Sequence, residues 1–251
     1  MSIGGGNKAP ILEEAVQRHE VQKVLIVPSA CSTPQSYARK VPATMQLFSE
    51  QLGVPEVSIL HHFNQAPTPT QIEHEIATSG LIYVIGGHTP TLLKNIAAHG
   101  TGQAIRRATK DNQVVLAGAS AGAVLPFQKA MINPATQPAK QAWEYQFVDG
   151  LALIPAAATA HANQQDPHPD NGPNKLARGN WFFQNLGELA LPGIAIDNHA
   201  ALVIDGHTAT ISRSDPDAQI HLWNPANVEN NPLTLADPEN LLAFWQSLPL
   251  K

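Results

Sequence analysis

Short apolar runs and segments of helical periodicity alternate through the first half of the chain. The β-branched run Val24–Val27, stopped by Pro28, is typical of a buried parallel strand. Further strands are predicted at 56–63, 81–85 and 113–118, and helices at 42–53, 68–80, 89–100 and 101–112. Alternation of this kind indicates βαβ units. The sequence therefore predicts an α/β fold with a mainly parallel sheet and helices on both of its faces.

Capping signals mark some of the predicted boundaries. Thr70 is the predicted N-cap of the second helix. Gly86 and Gly87 form a predicted tight turn after the third strand. Thr89 is then expected to cap the following helix, with Pro90 at its first position.

The second half has a different pattern, with many prolines and long polar stretches. A strand is predicted at 150–155, a long loop at 161–179, a helix at 180–193, a strand at 220–225 and a terminal helix at 237–248, capped by Asp237. The segment 194–213 is predicted to be a β-hairpin that turns at Asp205–Gly206, because an Asp-Gly pair favours a two-residue turn. No repeat or linker divides the sequence, so residues 1–251 are expected to form a single domain.

The composition is that of a globular protein without a surface for polyanions. Hydrophobic residues make up 43% of the chain and the net charge is -5, without a run of basic residues. We therefore expect neither nucleic acid nor a membrane as a partner. No cofactor is expected. Cys31 is the single cysteine, so an intrachain disulfide is excluded and a buried structural role is expected. The N-terminal segment lacks the pattern of a signal peptide, and a cytoplasmic location is expected.

Ser120 lies in the segment Gly118–Gly122, between a predicted strand and an apolar run that suits a helix. The pattern G-x-S-x-G in this context is the arrangement of a nucleophile elbow, a strained turn that needs small neighbours. The same small residues also suit close packing of a helix on a strand, and this structural alternative stays open. The turn at Gly86–Gly87 ends a neighbouring strand at the same edge of the sheet. Its N–H groups and that of Ala121 are candidates for an oxyanion hole.

A nucleophilic serine needs a base, and the base needs an orienting partner. His161 follows a predicted strand and opens the long loop of the second half. Asp197 or Asn198 lies at a later strand position and is the candidate partner of that histidine. The resulting chain order of serine, histidine and acid differs from the order in α/β-hydrolases, which argues against that fold.

Several segments together resemble the peptidase E and cyanophycinase family of serine peptidases. They are IGGGN, LIVPSA, IYVIGGHTPTLL, VVLAGASAGA, VDGLALIP and GIAIDNHAALVIDG, in this order from Ile3 to about Ile211. The resemblance implies a class I glutamine amidotransferase-like α/β fold, here with a C-terminal β-hairpin. It also implies cleavage of small peptides, in the manner of a dipeptidase or exopeptidase, since the family favours an N-terminal aspartate or an aspartyl polymer.

The resemblance assigns roles to individual residues. Ser120 matches the family nucleophile, and His161 matches the family histidine. Gly87 and Ala121 match positions whose amides form the oxyanion hole. Arg178 falls near an arginine that helps to hold a substrate carboxylate.

Two departures from the family pattern affect the expected site. The family turn commonly has Asn where this chain has His88, so the substrate contact expected of that side chain differs, whereas the backbone donors are the same. The family often has Glu at the position of Asn198. An amide orients a histidine, as in Cys-His-Asn sites, but it does not stabilise an imidazolium by charge. Either Asp197 takes that part or the enzyme is weak.

The leading hypothesis is a serine hydrolase of small peptides, and three alternatives compete with it. Asn198 motivates the first, a catalytically weak or inactive member that binds a small ligand or a partner. The second is a metal hydrolase built on His161, Asp166, His168 and Asp170, but their spacing fits no common zinc pattern, so no metal is expected. The third, amidotransferase chemistry, is disfavoured because the elbow holds serine instead of cysteine. The preferred substrate side chain and the oligomeric state, monomer or homodimer, stay open.

Overall fold

The structure, a computed structural model, describes residues 1–60, 66–111, 113–133, 145–167, 175–205, 208–225, 234–235 and 238–248. The chain divides into two compact units. The first comprises Met1 and Lys8–Ala123, and the second comprises Ser2–Asn7 and Val124–Lys251. The single-domain expectation stays a prediction. Within the described ranges, no helix is both long enough and apolar enough to cross a membrane.

Parallel strands form the centre of the first unit. They are β2 (Lys23–Val27), β3 (Glu56–Ile59), β4 (Leu81–Val84) and β5 (Val115–Ala119), in the spatial order β5-β4-β2-β3. Every residue of Val24–Val27 is fully buried. A run that is apolar on both faces suits a strand that is covered on both sides, which is why the β-branched pattern predicts this parallel sheet correctly.

Helices precede, connect and follow these strands along the chain. They are α1 (Ala9–Arg18), α2 (Pro34–Gln46), α3 (Pro69–Ala77), α4 (Thr89–Ala98), α5 (Thr101–Lys110) and α6 (Ala121–Val124). The helix predicted at 42–53 begins earlier, at Pro34, because the Thr33 hydroxyl accepts a hydrogen bond from the Ser36 N–H at 3.1 Å and caps it. Its continuation, Leu47–Gln51, is a π-helix.

Two helices of the first unit begin at residues other than those predicted. The N-cap of α3 is Thr68, which forms a capping box with the third helical residue. Pro69 takes the first helical position, which suits its fixed φ and its missing N–H, so Thr70 lies inside the first turn. The N-cap of α4 is His88, and Thr89 is already helical.

An antiparallel sheet in the second unit contains the predicted hairpin. Its strands are β1 (Ser2–Ile3), β12 (Ala200–Asp205) and β13 (Thr208–Arg213), with β12 in the middle. Asp205 lies opposite Thr208, which confirms the hairpin for residues 200–213. The first residues of the predicted segment are not part of it, because Gly193–Ile196 pairs with strands of the mixed sheet described below. Gly206 of the expected turn lies outside the described residues.

A mixed sheet makes up most of the described second unit. Its strands, in spatial order, are β15 (Thr234–Leu235), β14 (Ile220–Trp223), β11 (Gly193–Ile196), β8 (Ile154–Ala160), β6 (Phe127–Ile132) and β7 (Gln146–Asp149). A separate strand pair, β9 (Gln165–Pro167) and β10 (Lys175–Ala177), leads into the helix α7 (Arg178–Gln184). A 3-10 turn at Gly187–Leu189 and the terminal helix α8 (Pro238–Ser247) follow.

The mixed sheet differs from the sequence prediction in several details. The strand expected at 150–155 starts only at Ile154, and the helix expected at 180–193 is divided into α7 and the 3-10 turn. The sequence does not predict β6 and β7, because polar residues interrupt their apolar pattern. Among these polar residues, Lys129 and Asp149 form an ion pair of 2.8 Å across the two strands. The terminal helix is confirmed, and its expected cap, Asp237, lies outside the described residues.

Candidate active site

Ser120 forms the corner between β5 and α6 in the first unit. Its φ is +55°, a left-handed backbone conformation that a residue with a Cβ seldom adopts. Such a conformation costs about 1–3 kcal/mol and persists only where the surrounding structure enforces it. A left-handed serine between a strand and a helix is the geometry of a nucleophile elbow.

The glycines around Ser120 enforce this corner because larger residues would not fit. A Cβ on Gly118 would lie within 3.0 Å of the carbonyl of Gly122, two residues after the serine. A Cβ on Gly122 would in turn lie within 3.0 Å of the carbonyl of Val84 at the end of β4. The helix α6 therefore starts directly against the sheet. The small residues thus also allow a helix to pack closely on a strand, which is the structural alternative that the sequence left open.

The Gly86–Gly87 turn follows β4 and lies against the serine corner. A Cβ on Gly86 would be 2.8 Å from the Cβ of Ser120. On its other side, a Cβ on Gly87 would lie within 3.0 Å of the carbonyl of Ala30, and the N–H of His88 donates to that carbonyl at 2.9 Å. Within the described part of the chain, the N–H of Gly87 donates no hydrogen bond. It is therefore available for an oxyanion.

Ala121 is the first residue of α6. The first N–H groups of a helix have no partner within the helix, so the N–H of Ala121 has the character of a donor for a ligand. Ala121 itself is buried, which limits the access of water to this side of the corner.

His161 follows directly after β8 in the second unit and has a φ of +57°. Its Nδ1 lies 2.6 Å from Oδ1 of Asn198. Asn198 is itself held by Asn163, whose Oδ1 accepts from the backbone N–H of Asn198 at 3.0 Å and from its Nδ2 at 3.1 Å. The sequence does not single out Asn163, because nothing in a polar loop marks which asparagine reaches across to the turn between β11 and β12.

These contacts determine which nitrogen of the His161 imidazole carries the proton. The backbone N–H of Asn198 is a donor only, so the Asn163 atom that it meets is an oxygen. That oxygen requires Nδ2 of Asn198 on its side and places Oδ1 of Asn198 toward His161. Because Oδ1 accepts, Nδ1 of His161 carries the proton, and in the neutral ring Nε2 carries the lone pair of a general base.

Asp197, the other candidate partner of the histidine, has different contacts. Its side chain is buried, with Oδ2 accepting from the Gln219 N–H at 3.1 Å and Oδ1 lying 3.5 Å from Nε2 of His221. Both partners lie at or next to β14. Of the two candidates, Asn198 is thus the one whose side chain contacts His161.

The triglycine segment near the N-terminus packs against the histidine pair. A Cβ on Gly5 would lie within 3.0 Å of both the His161 ring and Oδ1 of Asn198. A Cβ on Gly6 would meet the ring of His199 at 2.6 Å. The IGGGN motif therefore has a steric role, because only glycine allows the backbone to lie so close to these rings.

Arg178 and His88, the candidates for substrate binding, each have a partner in their own unit. Nη1 of Arg178 donates to the carbonyl of Ala160, directly before His161, at 3.4 Å. The Arg178 guanidinium carbon also lies 5.8 Å from the centre of the Tyr145 ring. Nδ1 of His88 lies 2.8 Å from Oγ1 of Thr91, one turn into α4.

The metal-site hypothesis involves the loop that follows His161. Asp166 lies in strand β9, whereas His168 and Asp170 lie outside the described residues. In the parts that are described, no group of three or more His, Cys, Asp or Glu side chains is placed to hold a metal ion. Cys31 is buried, and this burial raises the pKa of its thiol.

Comparison with known proteins identifies the family of this chain. Residues 3–212 match peptidase family S51. The chain thus belongs to the serine-type peptidases, and within them it is a member of peptidase family S51. No curated protein gives a significant match to the sequence.

Solved structures show the same fold. A peptidase from an acI-B1 Actinobacterium is 18% identical, with a TM-score of 0.64 over 93% of this chain and 91% of that one. The crystal structure named "Putative Peptidase E Protein from Listeria monocytogenes EGD-e" is 20% identical, with a TM-score of 0.57 over 82% of this chain and 93% of that one. The α/β fold class expected from the sequence is confirmed by these likenesses.

Proposed function

We propose that the chain hydrolyses short peptides with Ser120 as nucleophile, His161 as general base and Asn198 as the residue that orients the base. The left-handed backbone of Ser120 at a strand-to-helix corner, which is the geometry of a nucleophile elbow, is the observation that carries this proposal. Membership of a serine peptidase family supports it.

In the proposed first step, Oγ of Ser120 attacks the carbonyl carbon of the scissile bond and its proton passes to Nε2 of His161. The carbonyl oxygen becomes an oxyanion, which the N–H groups of Gly87 and Ala121 are proposed to stabilise. Such a donor contributes about 3 kcal/mol in the transition state of well-studied enzymes. His161 then gives its proton to the leaving amine, and an acyl-enzyme remains.

In the second step, a water molecule attacks the acyl-enzyme while Nε2 of His161 takes one of its protons. Collapse of the second tetrahedral intermediate returns the proton to Oγ of Ser120 and releases the carboxylate product. Asn198 keeps Nδ1 of His161 protonated through both steps. As an amide it adds no negative charge beside the imidazolium, so turnover is expected to be slower than with a carboxylate.

The substrate class that we propose is a dipeptide or a short peptide with a free terminus. Arg178 supports this class, since it lies beside the residue that precedes His161 and a guanidinium suits the binding of a substrate carboxylate. His88, at the N-cap of α4 next to the Gly86–Gly87 turn, is proposed as a second substrate contact. The resemblance of the sequence to peptidase E adds N-terminal aspartate as the first side chain to test.

Hydrolysis of a dipeptide panel tests the proposal. Dipeptides with aspartate and with neutral residues at the N-terminal position are compared with the same peptides after N-acetylation, using release of free amines as the readout. We expect turnover of unblocked dipeptides by the unsubstituted protein and none by Ser120→Ala, with both proteins folded by circular dichroism. Equal turnover by Ser120→Ala would contradict the proposal. Turnover by neither would favour the alternative of a ligand-binding member.

A further inference from the structure

Lys40 on α2 contacts the Gly86–Gly87 turn, which contains the proposed oxyanion donor of Gly87. Its side chain is only partly exposed, and its Nζ donates to the carbonyl of Gly86 at 2.7 Å. That carbonyl and the N–H of Gly87 belong to the same peptide group. A cation thus binds one end of the peptide whose other end is the proposed oxyanion donor.

The contact completes the fixation of this peptide within the first unit. The Cα of Gly86 packs on Ser120 and that of Gly87 packs on Ala30, so two sides of the turn are held by close backbone contact. These contacts restrict the position of the turn, but rotation of the peptide plane is restricted by a hydrogen bond on its carbonyl. Lys40 supplies that bond.

The bond also acts on the charge distribution of the peptide. A hydrogen bond from a cation is stronger than one from a neutral donor, and it draws electron density toward the carbonyl oxygen. The N–H at the other end of the conjugated group becomes more positive, since hydrogen bonds in a chain polarise one another. Burial lowers the pKa of Lys40, and the same burial limits the screening of the charge by water.

We propose that Lys40 is a positioning residue of the oxyanion hole, which orients and polarises the Gly86–Gly87 peptide so that the Gly87 N–H binds the transition state more tightly than the ground state. The inference rests on the proposed function, in which Gly87 is an oxyanion donor. Interactions that strengthen only in the transition state raise kcat and leave KM unchanged.

Lys40→Met removes the cation and keeps a side chain of similar length. On a dipeptide that the unsubstituted protein hydrolyses, we expect kcat to fall about 10-fold, less than the loss known for removal of a whole oxyanion donor, with KM unchanged. Lys40→Arg keeps a cationic donor, and we expect it to retain most of the kcat of the unsubstituted protein. Lys94→Met, at an exposed position of α4 in the same unit, is the matched control and should retain full kcat.

The outcomes separate this inference from the proposed function. Unchanged kcat in Lys40→Met, or a rise in KM without a fall in kcat, would overturn the role of Lys40 while the serine mechanism stands. Equal losses in Lys40→Met and Lys40→Arg would overturn it as well. If Lys40→Met does not fold by circular dichroism, Lys40→Gln replaces it, and its neutral donor should give a kcat below those of Lys40→Arg and of the unsubstituted protein; a kcat equal to that of the unsubstituted protein would overturn the role. Absence of turnover by the unsubstituted protein would contradict the proposed function and this role with it.

Discussion

Nδ1 of His161 lies 2.6 Å from Oδ1 of Asn198, so in the proposed site an amide takes the position that a carboxylate holds in Ser-His-Asp sites. The neighbouring carboxylate of Asp197 bonds instead to the backbone of Gln219. In many serine peptidases, one carboxylate both orients the imidazole and neutralises its positive charge. In the proposed site, the amide of Asn198 provides the orientation and not the charge.

Substitution of Asn198 should affect activity, whereas substitution of the adjacent Asp197 should affect stability. Asn198→Ala removes the acceptor that fixes the His161 tautomer, and we expect kcat to fall about 100-fold or more with little change in stability. Asp197→Ala leaves the N–H of Gln219 without its buried acceptor, which costs about 1–3 kcal/mol of stability, with kcat largely kept. Dipeptide kinetics and urea unfolding of both variants check these expectations. A fall in kcat for Asp197→Ala alone would assign the orienting role to the carboxylate.

Gly5 should tolerate no side chain. Because a Cβ there would meet both the His161 ring and Oδ1 of Asn198, Gly5→Ala is expected to displace the imidazole and to lower kcat about 100-fold. Gly187→Ala is the matched control in the same unit, since a Cβ at Gly187 meets nothing within 4 Å. Equal kcat values for the two variants would show that the triglycine segment does not restrain the histidine.

The sequence predicts features that depend on local patterns. The G-x-S-x-G corner needs only small residues between a strand and a helix, and the left-handed Ser120 is where that pattern places it. The strands of the first unit follow from apolar runs such as Val24–Val27. The strands β6 and β7 do not, because their stability comes from pairing with distant strands and their own residues are partly polar.

In the candidate site, too, features that depend on distant contacts cannot be predicted from local sequence patterns. Whether Asp197 or Asn198 orients the histidine depends on which side of the chain each residue faces after β11 ends, and adjacent residues give no sequence signal for that. Asn163 and Lys40 contact residues far along the chain, at 35 and 46 positions of separation. Such contacts become visible only in three dimensions.

The strain at Ser120 should be measurable as stability. Glycine adopts a positive φ without the cost that a Cβ imposes, so Ser120→Gly is expected to be about 1 kcal/mol more stable than Ser120→Ala. Both variants lack the hydroxyl and should be inactive, so the comparison isolates the backbone. Thermal and urea unfolding provide the measurement. Equal stability of the two variants would mean that the corner is not strained.

Tyr83 should be replaceable by phenylalanine. It packs against Phe48 with ring centres 5.2 Å apart, and its buried hydroxyl has no hydrogen-bond partner among the described residues. We therefore expect Tyr83→Phe to be as stable as the unsubstituted chain or about 1 kcal/mol more stable. Burial also raises the pKa of Tyr83 far above the ordinary value of 10.0.

The raised pKa of Tyr83 makes the folded state less stable at high pH. Above pH 10 the unfolded chain releases the Tyr83 proton while the folded chain keeps it, so unfolding becomes more favourable as the pH rises. The advantage of Tyr83→Phe in urea unfolding should accordingly grow between pH 9 and pH 11. A constant difference over that range would contradict a buried, protonated hydroxyl.

The central claim is that Ser120 is an activated nucleophile. Reaction with a fluorophosphonate probe, followed by peptide mapping in a mass spectrometer, tests it most directly because the probe forms a covalent bond only with an activated hydroxyl. The account predicts an adduct on Ser120 in the unsubstituted protein, none in Ser120→Ala, and labelling slowed about 100-fold or more in His161→Ala. An adduct on a different serine, or equal labelling rates with and without His161, would contradict it.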